Sequence, residues 1–127
     1  MMAGLGYREG CDTTSAELAH SVNTSASFVR RVLAKLSKAG LIRTAKGQAG
    51  ACWLARKPAE ISLLDIYNAV DAPKAFAIHD YAPMKQCAVS CHIKAALDKV
   101  LDKTQKSMEA GLKKITLAEV LQEVKQE

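Results

Sequence analysis

Seven cationic side chains fall between residues 14 and 56, namely Arg30, Arg31, Lys35, Lys38, Arg43, Lys46 and Arg56, and Glu17 alone opposes them. The whole chain carries a formal charge of +5, so the rest of it is close to neutral. Guanidinium and ammonium groups gathered in one segment can neutralise phosphates, and arginine can read guanine through two parallel hydrogen bonds in a major groove. A merely solvated helix face would carry the same charges, so the elements that place these groups decide what they do. A second set of reactive groups is Cys87 and Cys91, with His92 next in the chain. Thiols at the start of a helix, near Lys85 and Lys94, favour the thiolate and suit a reversible switch, although ordinary free cysteines would show the same pattern.

The cationic segment reads as helix, turn, helix and hairpin. Thr14 or Ser15 can cap a first helix whose Ala16, Leu18, Ala19 and Val22 form an apolar stripe, and Asn23 and Thr24 end it. Ser25 can cap a second helix running to about Ala39, with Gly40 placed to leave it through a left-handed residue. At roughly 100° per residue, Phe28, Val29, Val32, Leu33 and Leu36 fall on one side, and Ser27, Arg30, Arg31, Ala34, Lys35 and Lys38 on the other. The apolar side is expected to pack and the basic side to be free. Short Ser25 and Ser27 let the helix approach a groove closely. Arg30 and Arg31 are then expected at or near base edges, with Lys35 and Lys38 on the phosphate backbone.

After Gly40, an apolar start at Leu41, a turn at Lys46-Gly47-Gln48-Ala49-Gly50 and a second apolar run from Cys52 to Ala55 predict a short hairpin. A hairpin directly after such a helix is a wing, and Arg43, Thr44, Lys46 and Gln48 are its expected DNA contacts. Ser62 and Asp65 mark the start of another helix, stopped at Asp71-Ala72-Pro73. Lys74 to Gln86 holds two prolines and little periodicity, which predicts a loop. From about Ala88 to Gly111, Val89, Ile93, Leu97, Val100, Thr104 and Met108 recur by threes and fours with charges on both shoulders, which suits a seam between two chains. Thr116 and Glu119 predict a final capped helix.

The runs Ala39-Gly40-Leu41-Ile42, Gly47-Gln48-Ala49-Gly50, Leu54-Ala55-Arg56-Lys57-Pro58 and Ile61-Ser62-Leu63-Leu64-Asp65-Ile66-Tyr67 together resemble the Rrf2 family of bacterial winged-helix transcription regulators. The resemblance is strong from Thr14 to Val70 and holds in outline beyond. It implies a dimeric DNA-binding repressor or activator with a long C-terminal dimerisation helix. Cluster-binding members of that family resemble one another in keeping three cysteines near the start of the long helix, where this chain has two, so it is more similar to members without that motif. His79 or His92 could add a ligand, but no cofactor and no metal site are expected. The family's opening helix is here confined to Met1 to Tyr7 before Arg8-Glu9-Gly10, which implies a truncated helix or an upstream start, and partial exposure of Leu18, Val22 and Val32. A frequent second wing glycine is Ala51 here, acceptable where φ is negative.

The expected fold is therefore mainly α: a winged helix-turn-helix with a small β-hairpin wing and a long C-terminal dimerisation helix. Residues 1–72 form the DNA-binding domain, 73–87 a connecting loop and 88–127 the dimerisation and C-terminal helices. A chain of 127 residues supports one modest core. No apolar run reaches bilayer length and the first ten residues lack a signal-peptide layout, so the expected location is cytoplasmic with reduced thiols. The expected partners are a double-stranded DNA operator and a second copy of the chain, with no membrane. The expected function is a sequence-specific regulator, a homodimeric repressor with a cysteine-based switch at Cys87 and Cys91. The alternative is a thiol-based redox or peroxide-reducing enzyme using the same two cysteines, for which the sequence offers no evident base. RNA binding is disfavoured by the lack of aromatic platforms.

Overall fold

The computed structural model describes residues 1–45 and 50–126. The chain divides into two compact units, one comprising Met1–Ala72 together with the segment from Leu112, the other Pro73–Gly111. In order along the chain, the elements are α1 (Met2–Tyr7), β1 (Thr13–Thr14), α2 (Ser15–Ser21), α3 (Ala26–Lys38), β2 (Ile42–Thr44), β3 (Ala51–Leu54), a 3₁₀ turn (Pro58–Glu60), α4 (Leu63–Ala69), α5 (Ala88–Lys114) and α6 (Leu117–Gln126). The fold is thus mainly α with a small antiparallel sheet, as the sequence patterning requires.

In the first unit the helix boundaries follow from local hydrogen-bond chemistry. The Thr14 hydroxyl accepts from the Glu17 amide while the Glu17 carboxylate accepts from the Thr14 amide at 2.8 Å, closing a reciprocal cap on α2. Ser62 with Asp65 does the same for α4, and Thr116 with Glu119 for α6. Three helices end alike. Asn23, Gly40 and Asp71 each take a positive φ, and the two amides that follow each last turn bond back to carbonyls of that turn. This double closure satisfies carbonyls that would otherwise be orphaned, and Asn, Gly and Asp are the residues that tolerate it best.

The core of this unit comes from α1, α2, α3, the sheet, Ile61 and α6. Val29, Leu33 and Leu36 of α3 are buried against Leu18 and Ala19 of α2 and against Leu41, Ile42 and Cys52. Each buried Val, Leu or Ile side chain among them contributes about 1.5–3 kcal/mol by leaving water. The sheet order is β1-β3-β2, with Thr13 opposite Cys52 and Arg43 opposite Trp53. The expected hairpin therefore gains a third strand, paired with Ala51 and Cys52 at the start of β3. Ala51 lies buried in β3 and is not among the positive-φ residues. Helix α1 is only six residues long, yet Met2, Leu5 and Gly6 are buried. Gly6 sits so close to Leu121 of α6 that an added Cβ would fall 2.6 Å from a leucine methyl. Leu18, expected to be partly bared by a short first helix, is buried, whereas Val22 is 42% exposed.

In the second unit an extended strap, residues 74–86, runs antiparallel along α5. Lys74 pairs with Asp102 at 2.7 Å, the Ala75 amide donates to Gln105, Lys94 pairs with Asp80 at 2.6 Å, and the Met84 amide donates to Ser90 at 2.8 Å. The hydrogen bonds from these lysines hold the Asp102 and Asp80 carboxyls below the usual carboxylate range. Val89, Ile93, Leu97 and Val100 stand on α5 as an exposed apolar row. Among the described residues no helix is long and apolar enough to cross a membrane.

Candidate nucleic-acid interface

Helix α3 starts where the Ser25 hydroxyl accepts the Phe28 amide at 3.3 Å, with the Ser27 hydroxyl 3.2 Å from that of Ser25. Burial of Val29, Leu33 and Leu36 fixes the roll of the helix, so Ser27, Arg30, Arg31, Ala34, Lys35 and Lys38 face outward and are exposed. Ser25 is exposed at the same end. Arg30 and Lys38 border an open depression also lined by Ser15 of α2, by Thr44 of β2 and by Gly50 just before β3. The N-terminal half of such a helix is the part that reaches base edges when it enters a major groove.

Phe28 departs from the wheel. It was expected on the packing side, but it is 46% exposed, and the Arg31 guanidinium lies over its ring, 5.8 Å from the centroid. An exposed ring under a guanidinium both orients the cation and presents an apolar edge of the kind that meets thymine methyl groups. Lys35 also has an engagement that the sequence did not disclose: its ammonium lies 3.2 Å from Asp71 and donates to the Val70 carbonyl at 3.4 Å.

On the sheet, Arg43 and Thr44 of β2 are exposed, and Arg43 stands opposite Trp53, which is 38% exposed. Sequence reasoning missed Trp53 as a surface group because an apolar run there reads as buried. Lys46 and Gln48, expected at the wing tip, lie outside the described residues. Cys52 is buried beneath this sheet, donates its S–H to the Thr13 carbonyl at 3.1 Å, and has its pKa pushed up by burial and by the Glu17 charge.

The other two cysteines of interest sit at the start of α5 in the second unit. The Cys87 sulfur accepts the Ser90 amide at 3.4 Å, which places it as a cap on the helix, and the Cys91 thiol donates to the Met84 carbonyl at 3.6 Å. The hydrogen bonds of both sulfurs run to backbone groups, with no base among them. No group of three or more His, Cys, Asp or Glu side chains among the described residues is arranged to hold a metal ion.

A family profile for Rrf2, described as an iron-dependent transcriptional regulator, matches residues 1–123. YwnA of Bacillus subtilis (strain 168), a candidate HTH-type transcriptional regulator, is 38% identical over 110 residues, covering 86% of this chain and 81% of its own. Among solved structures, the crystal structure of a candidate DNA-binding protein is 33% identical with a TM-score of 0.73, over 94% of this chain and 92% of that one. T. potens IscR is 26% identical with a TM-score of 0.70, over 97% and 79%.

Proposed function

The chain belongs to the Rrf2 family of transcriptional regulators, and from that premise we propose that it is a sequence-specific, homodimeric repressor that docks α3 in the major groove of operator DNA. Its relatives are transcriptional regulators rather than enzymes. The observation that carries the reading is the roll of α3: Val29, Leu33 and Leu36 are buried while Arg30, Arg31 and Lys38 project outward beside the wing strands. Ser25, Ser27, Arg30 and Arg31 approach the bases, Lys35 and Lys38 the phosphates, and Arg43, Thr44, Lys46 and Gln48 the flanking backbone or minor groove.

A second copy supplies the two-fold symmetry that a pseudo-palindromic operator demands. The exposed row of Val89, Ile93, Leu97 and Val100 on α5 supports that copy as its occupant, because a stripe of this length left in water favours burial against another helix. In this division residues 1–72 read DNA, 73–87 connect and 88–127 carry assembly, with α6 itself packed on α1. The repressor acts in the cytoplasm by occupying promoter DNA. A cysteine switch is supported by the placement of Cys87 and Cys91 together at the start of α5, where the Cys87 sulfur caps the helix and Cys91 is exposed. Among the described residues the hydrogen bonds of both sulfurs run to backbone groups, which favours the regulator over a thiol enzyme.

Selection of bound fragments from a randomised duplex pool, followed by anisotropy titration, tests the proposal. A pseudo-palindrome should emerge whose half-sites are about one helical turn apart. Arg30→Ala and Arg31→Ala should relax its sequence preference, while Lys38→Ala should weaken all duplexes about equally. A pool that shows no enrichment, or arginine variants that bind the operator like the unmodified protein, would overturn it.

A further inference from the structure

Arg30, Arg31 and Lys38 make no ion pair among the described residues, whereas Lys35 on the same outer face does. Its partner, Asp71, lies at the end of α4 and takes a left-handed backbone, with its amide bonded to the Asn68 carbonyl. That closure fixes where the Asp71 carboxylate stands, and it also leaves the Val70 carbonyl free to accept from the same ammonium at 3.4 Å. Lys35 is thus gripped by a carboxylate and by the negative end of a helix at once.

We propose that Asp71 is an affinity-determining positioning residue: in the free protein it holds Lys35 against α4, and a DNA phosphate must draw the ammonium away before Lys35 joins the contact. The inference rests on the DNA-binding reading given above. The side chains of Lys35 and Asp71 are 49% and 77% exposed, so the pair lies in a strongly screening environment and is worth little on its own. A duplex presents one negative charge about every 1.7 Å along its axis and releases condensed counterions when cations arrive, so it outcompetes a single exposed carboxylate. Asp71 accordingly subtracts from affinity without blocking binding. It also places a negative charge beside the basic face, and the two effects are separable because only the first acts through Lys35.

Asp71→Asn is the informative variant, since asparagine tolerates the same left-handed backbone. In the free protein, limited acylation followed by mass spectrometry should show the Lys35 amine reacting severalfold faster in Asp71→Asn, with Lys38 unchanged. In titrations of mixed-sequence duplex DNA at low salt, Asp71→Asn should bind roughly two- to fivefold tighter for each recognition helix engaged. The gain should vanish in high salt and should shrink to the smaller part that does not act through Lys35 when Asp71→Asn is added to Lys35→Gln. An equal gain in the Lys35→Gln background, or no gain where the unmodified protein binds duplex, would overturn the proposal. Failure of the unmodified protein to bind any duplex would instead sink the DNA-binding reading beneath it, whatever the acylation shows.

Discussion

The Arg31 guanidinium lies 5.8 Å from the centroid of the Phe28 ring, three residues before it on the outer face of α3. The ring holds the cation away from free rotation in water, and the ring itself remains 46% exposed. Arg31→Ala should therefore lose roughly 5- to 150-fold in discrimination at one operator position, the worth of a good bidentate base contact. Phe28→Ala should lose a smaller part, about two- to fivefold, at that same position. Competition titrations with single-base operator variants measure both, and a Phe28→Ala loss spread evenly over all positions would deny the ring this role.

Leu97 lies within the exposed row on α5, 41% accessible, between Ile93 and Val100. On the proposed dimer, Leu97→Asp should place a charge in the seam between the copies and shift the protein to monomer in sedimentation velocity. Operator affinity should fall by more than tenfold, because the two heads no longer bind as one, while the far-UV spectrum stays unchanged. A variant that remains dimeric would move the interface elsewhere.

The four cysteines should alkylate in an order set by burial and environment. Cys11 and Cys91 are exposed and should react first, Cys87 is half-buried, and Cys52 should react last because it is buried and its pKa is pushed up. Diamide treatment should change operator affinity, and Cys87→Ser with Cys91→Ser should abolish that response. An unchanged affinity after oxidation would count against sensing at α5.

The Glu17 carboxyl is held below its ordinary pKa by hydrogen bonds from the Thr14 amide and then from the Thr14 hydroxyl. A carboxyl whose folded pKa is depressed adds stability above its unfolded value and loses it as the pH falls through the folded one. The cap on α2 should therefore be intact at neutral pH and weaken on the acid side of the usual carboxylate range. In thermal melts across pH, Glu17→Gln should lower the melting temperature slightly at pH 7 and close the gap with the unmodified protein as acid is added. A gap that widened in acid would assign the effect to something other than the cap.

Much of the first unit was legible because its boundaries are chemical and local. Ser25, Ser62 with Asp65 and Thr116 with Glu119 cap where their side chains can reach an amide three residues on, and Asn23, Gly40 and Asp71 stop helices by tolerating a positive φ. Contacts between distant parts of the chain were not legible. The pairing of Thr13–Thr14 with Cys52 and Ala51 spans nearly forty residues and involves a strand too short for any pattern. Phe28 was misplaced because its neighbours on the wheel are apolar, and only tertiary packing leaves that sector of α3 uncovered. The partner of Lys35 was equally invisible, since a charge on a helix face says nothing about the end of another helix. At α1, counting residues suggested an inadequate lid, whereas Met2, Leu5 and the close approach of Gly6 to Leu121 make six residues sufficient to cover Leu18.

Thr14 closes the strand that pairs with β3 and, in the same residue, caps α2. The helix pair and the wing strands thus share a joint at Thr14, fixed by backbone on one side and by a reciprocal cap on the other. On the proposed function, operator preference would be rewritten at Ser27, Phe28, Arg30 and Arg31 without re-aiming the frame that carries them, so a new address on the genome would ask for a few new letters rather than a new instrument.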